Sequence, residues 1–173
     1  MKKNSNHNYF LELFLNQLRD MYSSETLIIE AMPKLMQMVS SQDLKEALKQ
    51  HFAETKRQKD RLEVAFTELG EEPEGDLCVS MQGLLKEAST VLKNKSYPSF
   101  VEDAAIIAMA QKIEHYEIAS YGTLKAFAHH LELTSVEEII NEILTEEKNA
   151  DKSLSKIAEG SWITSGINAQ AVS

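Results

Sequence analysis

The stretch Ile113-Glu114-His115-Tyr116-Glu117-Ile118-Ala119-Ser120-Tyr121 decides the fold, because its two acids fall where a core residue belongs. Around them, Ile107, Ala110, Glu114, Glu117, Tyr121, Leu124 and Ala128 recur at alternating intervals of three and four. That spacing is the buried stripe of an amphipathic helix. The helix is predicted to start at Ser99, an N-cap candidate after Tyr97-Pro98 with Glu102 three residues on, and to span residues 99–131.

Three further segments keep the same period. In residues 9–39 the stripe is Leu11, Phe14, Leu18, Met21, Glu25, Ile28, Met32, Leu35 and Val39. A Ser40-Ser41-Gln42-Asp43 turn offers capping oxygens to a helix over residues 42–69, which stops at Gly70. Its expected stripe is Leu44, Ala47, His51, Glu54, Gln58, Leu62, Ala65 and Leu69. The last helix, residues 135–159 after a Thr134 or Ser135 cap, carries Val136, Ile140, Ile143, Glu147, Ala150, Leu154 and Ile157, with Asp151 on the same side. Two hairpins follow, joined by residues 70–98, whose middle, 80–93, reads as a short helix. Short turns within hairpins and one long connection between them give an all-α, ferritin-like four-helix bundle with a crossover. The 173 residues make one domain. The tail, residues 160–173, breaks the pattern and is expected as a docked or frayed extension around Trp162.

Each stripe is interrupted near its middle by a glutamate: Glu25, Glu54, Glu117 and Glu147. Antiparallel packing brings these to one level. Burying an isolated carboxylate costs several kcal/mol even after relaxation, and no lysine or arginine falls on the stripes to offset it. A pair of multivalent cations is the simplest answer. An oxygen-rich set suits iron, with manganese or zinc as other candidates. The halves are also alike: Glu117 aligns with Glu25 and Glu147 with Glu54, at separations of 29 (25 to 54) and 30 (117 to 147). That register places Asp151 over Gln58. Glu114, Asp151, His51 and Gln58 are therefore auxiliary ligand candidates, while His115, turned about 100° from Glu114, is expected outside. Tyr121 reads by default as a core tyrosine with its hydroxyl satisfied, or alternatively as a hydrogen-bond donor to a ligand carboxylate, and Met21, Met32, Met36 and Met38 read as core filler.

Composition removes several alternatives. A net charge of -9 without a compact basic cluster opposes a nucleic-acid partner. Cys78 is the single cysteine, so no internal disulfide is possible. Residues 1–8 are polar and no stretch reaches membrane-spanning length, which gives a cytoplasmic expectation.

The stretch from Leu13 through Arg19-Asp20-Met21-Tyr22 to Glu25, then His51-Phe52-Ala53-Glu54-Thr55, then Glu114 to Leu124, then Glu146-Glu147-Lys148 with Asp151, resembles the YciE/YciF branch of the ferritin-like superfamily. The resemblance covers nearly the whole chain. It implies a bacterial, cytoplasmic, stress-associated homodimer, and no settled activity. Ferritins and rubrerythrins use Glu-x-x-His on the second and fourth helices; here Arg57 and Ala150 stand at the histidine positions, so only the glutamates carry over. The functions in view are a di-metal stress protein reactive toward oxygen or peroxide, and a structural or interaction protein that keeps the bundle. A DNA-protecting role fares worst against the acidic charge.

Overall fold

The computed structural model describes residues 3–93, 97–160 and 165–173. Six helices follow in order: α1 (Lys3–Met38), α2 (Gln42–Leu69), α3 (Val79–Leu92), α4 (Ser99–His130), α5 (Thr134–Glu159) and α6 (Ile167–Ala171). No strand occurs among the described residues, only an isolated bridge between Gly160 and Ser165. The four long helices close a ring in which α1 touches α2 and α4, and α5 touches the same two. This is the expected bundle with its long connection between hairpins. None of the helices among the described residues is long and apolar enough to cross a membrane.

The termini follow capping chemistry in part. Ser41 caps α2 through its hydroxyl, and Gly70 ends it at φ 68°, a left-handed conformation that glycine adopts without strain. The capping box expected at Ser99 does not form. Pro98 holds the cap position, and Ser99 is already inside the helix. Leu133 likewise precedes α5 with no side-chain cap, and the Ser135 hydroxyl donates to Glu68 across the bundle instead. The helix α1 begins before residue 9, since polar residues can extend an established helix into solvent at little cost. Pro33 lies inside α1, where its missing N–H leaves the Ile29 carbonyl without its helical donor.

A different acid ties the ends together. Asp103 is fully buried and accepts from the backbone N–H of Ser40 at 2.9 Å and of Ser41 at 2.7 Å. The start of α4 is thereby fastened to the turn of the first hairpin. The crossover is fastened at the other end of α3, where Cys78 lies buried at the N-cap and accepts from Met81 N. Its backbone N–H donates to Ser23 Oγ, and its sulfur lies 3.1 Å from Tyr116 Oη and 3.3 Å from Asp20 Oδ2. Burial pushes the thiol up from its ordinary pKa, which suits a structural anchor and not a nucleophile. The tail is docked: α6 packs on α4 and α5, with Ile167 buried. Gly166 makes this possible, because a Cβ there would lie 2.3 Å from the Ala158 carbonyl oxygen. The expectation about Trp162 falls outside the described residues.

The core is divided. One apolar cluster holds Phe14, Leu18, Leu62, Phe66, Tyr121, Leu124, Ile140 and Ile143 among others. The second holds Ile28, Met32, Leu44, Leu48, Ile106, Ile107 and Leu154, together with Cys78 and Met81 from the crossover. Between them, each long helix places its polar interruption. Replacing Asp103 with Ala removes two charge-assisted bonds and strands two backbone donors, so Asp103→Ala should cost about 3 kcal/mol. Urea unfolding measures this; a loss under about 0.5 kcal/mol, the ordinary surface value, would contradict the tie.

Candidate metal centre

The layer between the two clusters contains Glu25, His51, Gln58, Glu114, Glu117 and Glu147, all buried. Glu25, Gln58 and Glu147 have 0% exposure, so no water shell is available to the two carboxyls or to the amide. Ligand atoms of His51, Glu114, Glu117 and Glu147 lie within 4.8 Å of one another. His51 Nε2 is 3.2 Å from Glu114 Oε1. Glu25 sits beside this set with its Oε1 accepting from the Tyr121 hydroxyl. Gln58 Nε2 donates to Glu147 Oε1 and, at 2.9 Å, to Glu146 Oε2.

Electrostatics makes the layer unusual. Loss of water raises the Glu25 carboxyl well above its ordinary pKa; nearby Glu147 adds to this, and the Tyr121 hydrogen bond partly opposes it. Glu114 is raised by burial first and by Glu147 next, and Glu117 by burial and then by Glu25 and Glu147. At about 4 Å and an effective dielectric of 20, each like-charge pair costs roughly 4 kcal/mol. Added to several kcal/mol of desolvation per carboxylate, a fully ionised layer would exceed the roughly 5–15 kcal/mol by which a fold is stable. These side chains must therefore hold protons or cations.

Polar valence is also unspent. Glu25 Oε2, His51 Nδ1, Gln58 Oε1, Glu114 Oε2, Glu117 Oε1 and Glu147 Oε2 are buried without a hydrogen-bond partner among the described residues. Native cores leave few such atoms, and six of them converging on one layer match the needs of cations with oxygen and imidazole ligands. The donor set fits a metal centre.

Two of the expected ligands stand away from the converging set. Glu54 is half-buried, hydrogen-bonded to Gln50 Nε2 at 3.0 Å, and stands outside the converging set. The inward stripe of α2 runs through Leu44, Leu48, His51, Thr55, Gln58 and Leu62. Taking the steps as three-then-four or four-then-three agrees at 44, 51, 58 and 62 and differs at 47/48 and 54/55. Leu48, larger and more apolar than Ala47, carried the signal that settles the phase and turns Glu54 to the flank facing α5. Asp151 is also peripheral, accepting from Gln111 Nε2 at 3.1 Å, with His115 Nε2 at 3.4 Å. His115 itself is exposed, as expected. His51 and Glu114, expected as auxiliaries, belong to the inner set.

Sequence reasoning also missed a cation. Arg61 reaches the edge of the layer, pairing with both oxygens of Glu146, one at 3.0 Å from Nη1, and lying 3.6 Å from Glu142. Its field lowers the Glu25 pKa, although less than burial raises it. Arg61 is one turn beyond Gln58, an i,i+3 neighbour on the same face, and that spacing was readable. One partly exposed guanidinium already paired to Glu146 does not neutralise the inner carboxylates.

The family model described as Domain of unknown function (DUF892) matches residues 10–171. YciF of Escherichia coli strain K12 is 38% identical over 148 residues, covering 85% of this chain and 89% of that protein. The crystal structure of YciF, described as a stress protein, superposes with a TM-score of 0.81 at 36% identity over 90% of this chain and 94% of that one. YcfI from Rhodopseudomonas palustris, provisionally described as a structural protein, gives 0.84 at 40% identity over 86% and 94%. A Xanthomonas campestris protein at 20% identity, with a TM-score of 0.67 over 84% and 87%, shares the fold.

The raised carboxyls give a signed pH dependence. Unfolded glutamates titrate near about 4.3, so groups that hold protons more tightly in the fold contribute stability fully below that value and lose it as pH rises through their folded values. In the absence of metal ions, urea titrations at successive pH values should show stability falling progressively as pH rises above about 4.3. A Glu25→Gln/Glu117→Gln variant should flatten this slope; an equally steep slope would show that these charges are not buried together.

Proposed function

This chain belongs to the Domain of unknown function (DUF892) family, and from that premise we propose a stress-associated protein whose mid-bundle layer binds two transition-metal ions, iron ahead of manganese or zinc. The observation that carries the proposal is the convergence of unpartnered carboxylate oxygens with one imidazole between two dry apolar clusters. The likeness to YciF, a stress protein, supports the physiological setting.

The residues divide the work. His51, Glu114, Glu117 and Glu147 would hold the ions, and Glu25 would offer a further carboxylate from α1 with its orientation set by Tyr121. Gln58 holds Glu147 in place and leaves its own Oε1 free to face the centre or a bound water. The two apolar clusters exclude water above and below the layer, which strengthens every charge interaction inside it. Bound iron would supply redox chemistry toward oxygen or peroxide. A cytoplasmic homodimer completes the reading.

A second reading has one observation in its favour. With Arg61 beside the layer and protons on Glu25, Glu114 and Glu117, the bundle can stand without metal as a structural or interaction protein. Metal analysis separates the two. Protein purified without chelators should carry up to about two iron equivalents per chain, and Glu117→Ala/Glu147→Ala should carry less than about a tenth of that. Chelation should also lower the stability of the wild type, by about 2.7 kcal/mol if the metal had been present at a hundredfold its Kd. Equal metal content in both proteins, with a melting midpoint indifferent to chelation, would establish the structural reading.

A further inference from the structure

We propose that cations reach the centre through a lateral port between α2 and α5, and that Glu54 at its mouth captures them before they pass to His51 and Glu114. The inference rests on the metal-binding reading above and adds the route. A cavity of about 130 Å³ opens on this face, lined on α2 by Ala47, Gln50, His51 and Glu54 and on α5 by Glu146, Ala150 and Ser153, with Glu114 of α4 at its floor.

Small side chains make the opening. Ala47, Ala150 and Ser153 stand where larger residues would close the seam between two neighbouring helices. On the opposite side, where α3 lies against α1 and α4, a cavity of about 230 Å³ is lined largely by apolar side chains such as Leu35, Met38, Leu85, Leu92 and Ile113, and no candidate ligand lines it. The floor is chemically primed. His51 is 7% exposed with Nδ1 unpartnered, and Glu114 is 2% exposed with Oε2 unpartnered; both line the cavity. Glu54, half-buried at the rim, is positioned by Gln50. A hydrated cation meets one half-buried carboxylate, then an imidazole and a carboxylate that are almost wholly buried. Stepwise exchange of water for protein ligands avoids stripping the hydration shell at once. Glu146, held by Arg61 and Gln58, adds a negative wall without being free to leave it.

The test is kinetic. Metal-free protein is mixed with Co²⁺ in a stopped-flow instrument, loading is followed by visible absorption, and final content is measured by elemental analysis. Glu54→Gln and the plugging variant Ala150→Leu should each load at least about tenfold more slowly than wild type while reaching the same final content. Glu138→Gln, which removes the same charge from an exposed site about 18 Å along α5 from Ala150, should load at the wild-type rate. A wild-type rate in either port variant overturns the route while leaving the metal centre intact. Loss of final content in Glu54→Gln makes Glu54 a ligand of the centre and also overturns it. Failure of wild type to take up Co²⁺ removes the metal reading and the port together.

Discussion

Three glutamates and a histidine with ligand atoms inside 4.8 Å, and a fourth glutamate alongside, occupy a layer with almost no access to water. Their mutual repulsion and lost hydration are the constraint that the rest of the molecule accommodates. Net folding stability is of the same order as the penalty for ionising them, so the layer can exist only if the charge is cancelled. Two apolar clusters, one at each end of the bundle, supply the burial free energy that holds the four helices around it. The raised carboxyls of Glu25, Glu114 and Glu117 favour protons in the absence of cations; cations would balance the charge with more ligands satisfied. The same layer is thus a cost to the fold without cations, and under the proposed function it would be a preorganised binding site.

The crossover and the buried tie at Asp103 keep this arrangement in register. Asp103 fixes the start of α4 against the turn between α1 and α2, so the levels of Glu25, Glu114 and Glu117 are set relative to each other. Cys78, Tyr116 and Asp20 do the same where the crossover meets α1 and α4. Neither tie touches the candidate ligands. Both restrict how far one helix can slide past another, and a slide of one residue, about 1.5 Å, would misplace a ligand.

Much of this was legible in residues alone. The stripe of α4, from Ile107 through Glu114, Glu117 and Tyr121 to Ala128, is buried throughout, because every position in it is unambiguous at helical period. Gly70 marked the end of α2, and the long segment after it showed that the hairpins are joined by a crossover. The phase of α2 was less secure. A stripe that advances by three and four can be entered in either order, and Glu54 became a core position until Leu48 and Thr55 claimed the inward face. Residues acting across long separations gave no periodic signal: Asp103 meets Ser40 and Ser41 over more than sixty positions, and the Arg61–Glu146 pair spans 85. The apparent two-fold repeat was also only partial. Glu25 and Glu117 both reach the buried layer, but Glu117 is in the converging set and Glu25 stands beside it, and α2 contributes His51 and Gln58 where α5 contributes Glu147, so the two halves offer different chemistry.

The central claim is that cations balance the charge of this layer, and anomalous X-ray diffraction tests it most directly. Crystals grown from protein never exposed to chelators, measured on both sides of the iron absorption edge, should show anomalous peaks bounded by His51, Glu114, Glu117 and Glu147. An ordered layer with no anomalous peak at that edge or at the manganese and zinc edges, its carboxyls bonded only to one another and to Arg61, would contradict the account.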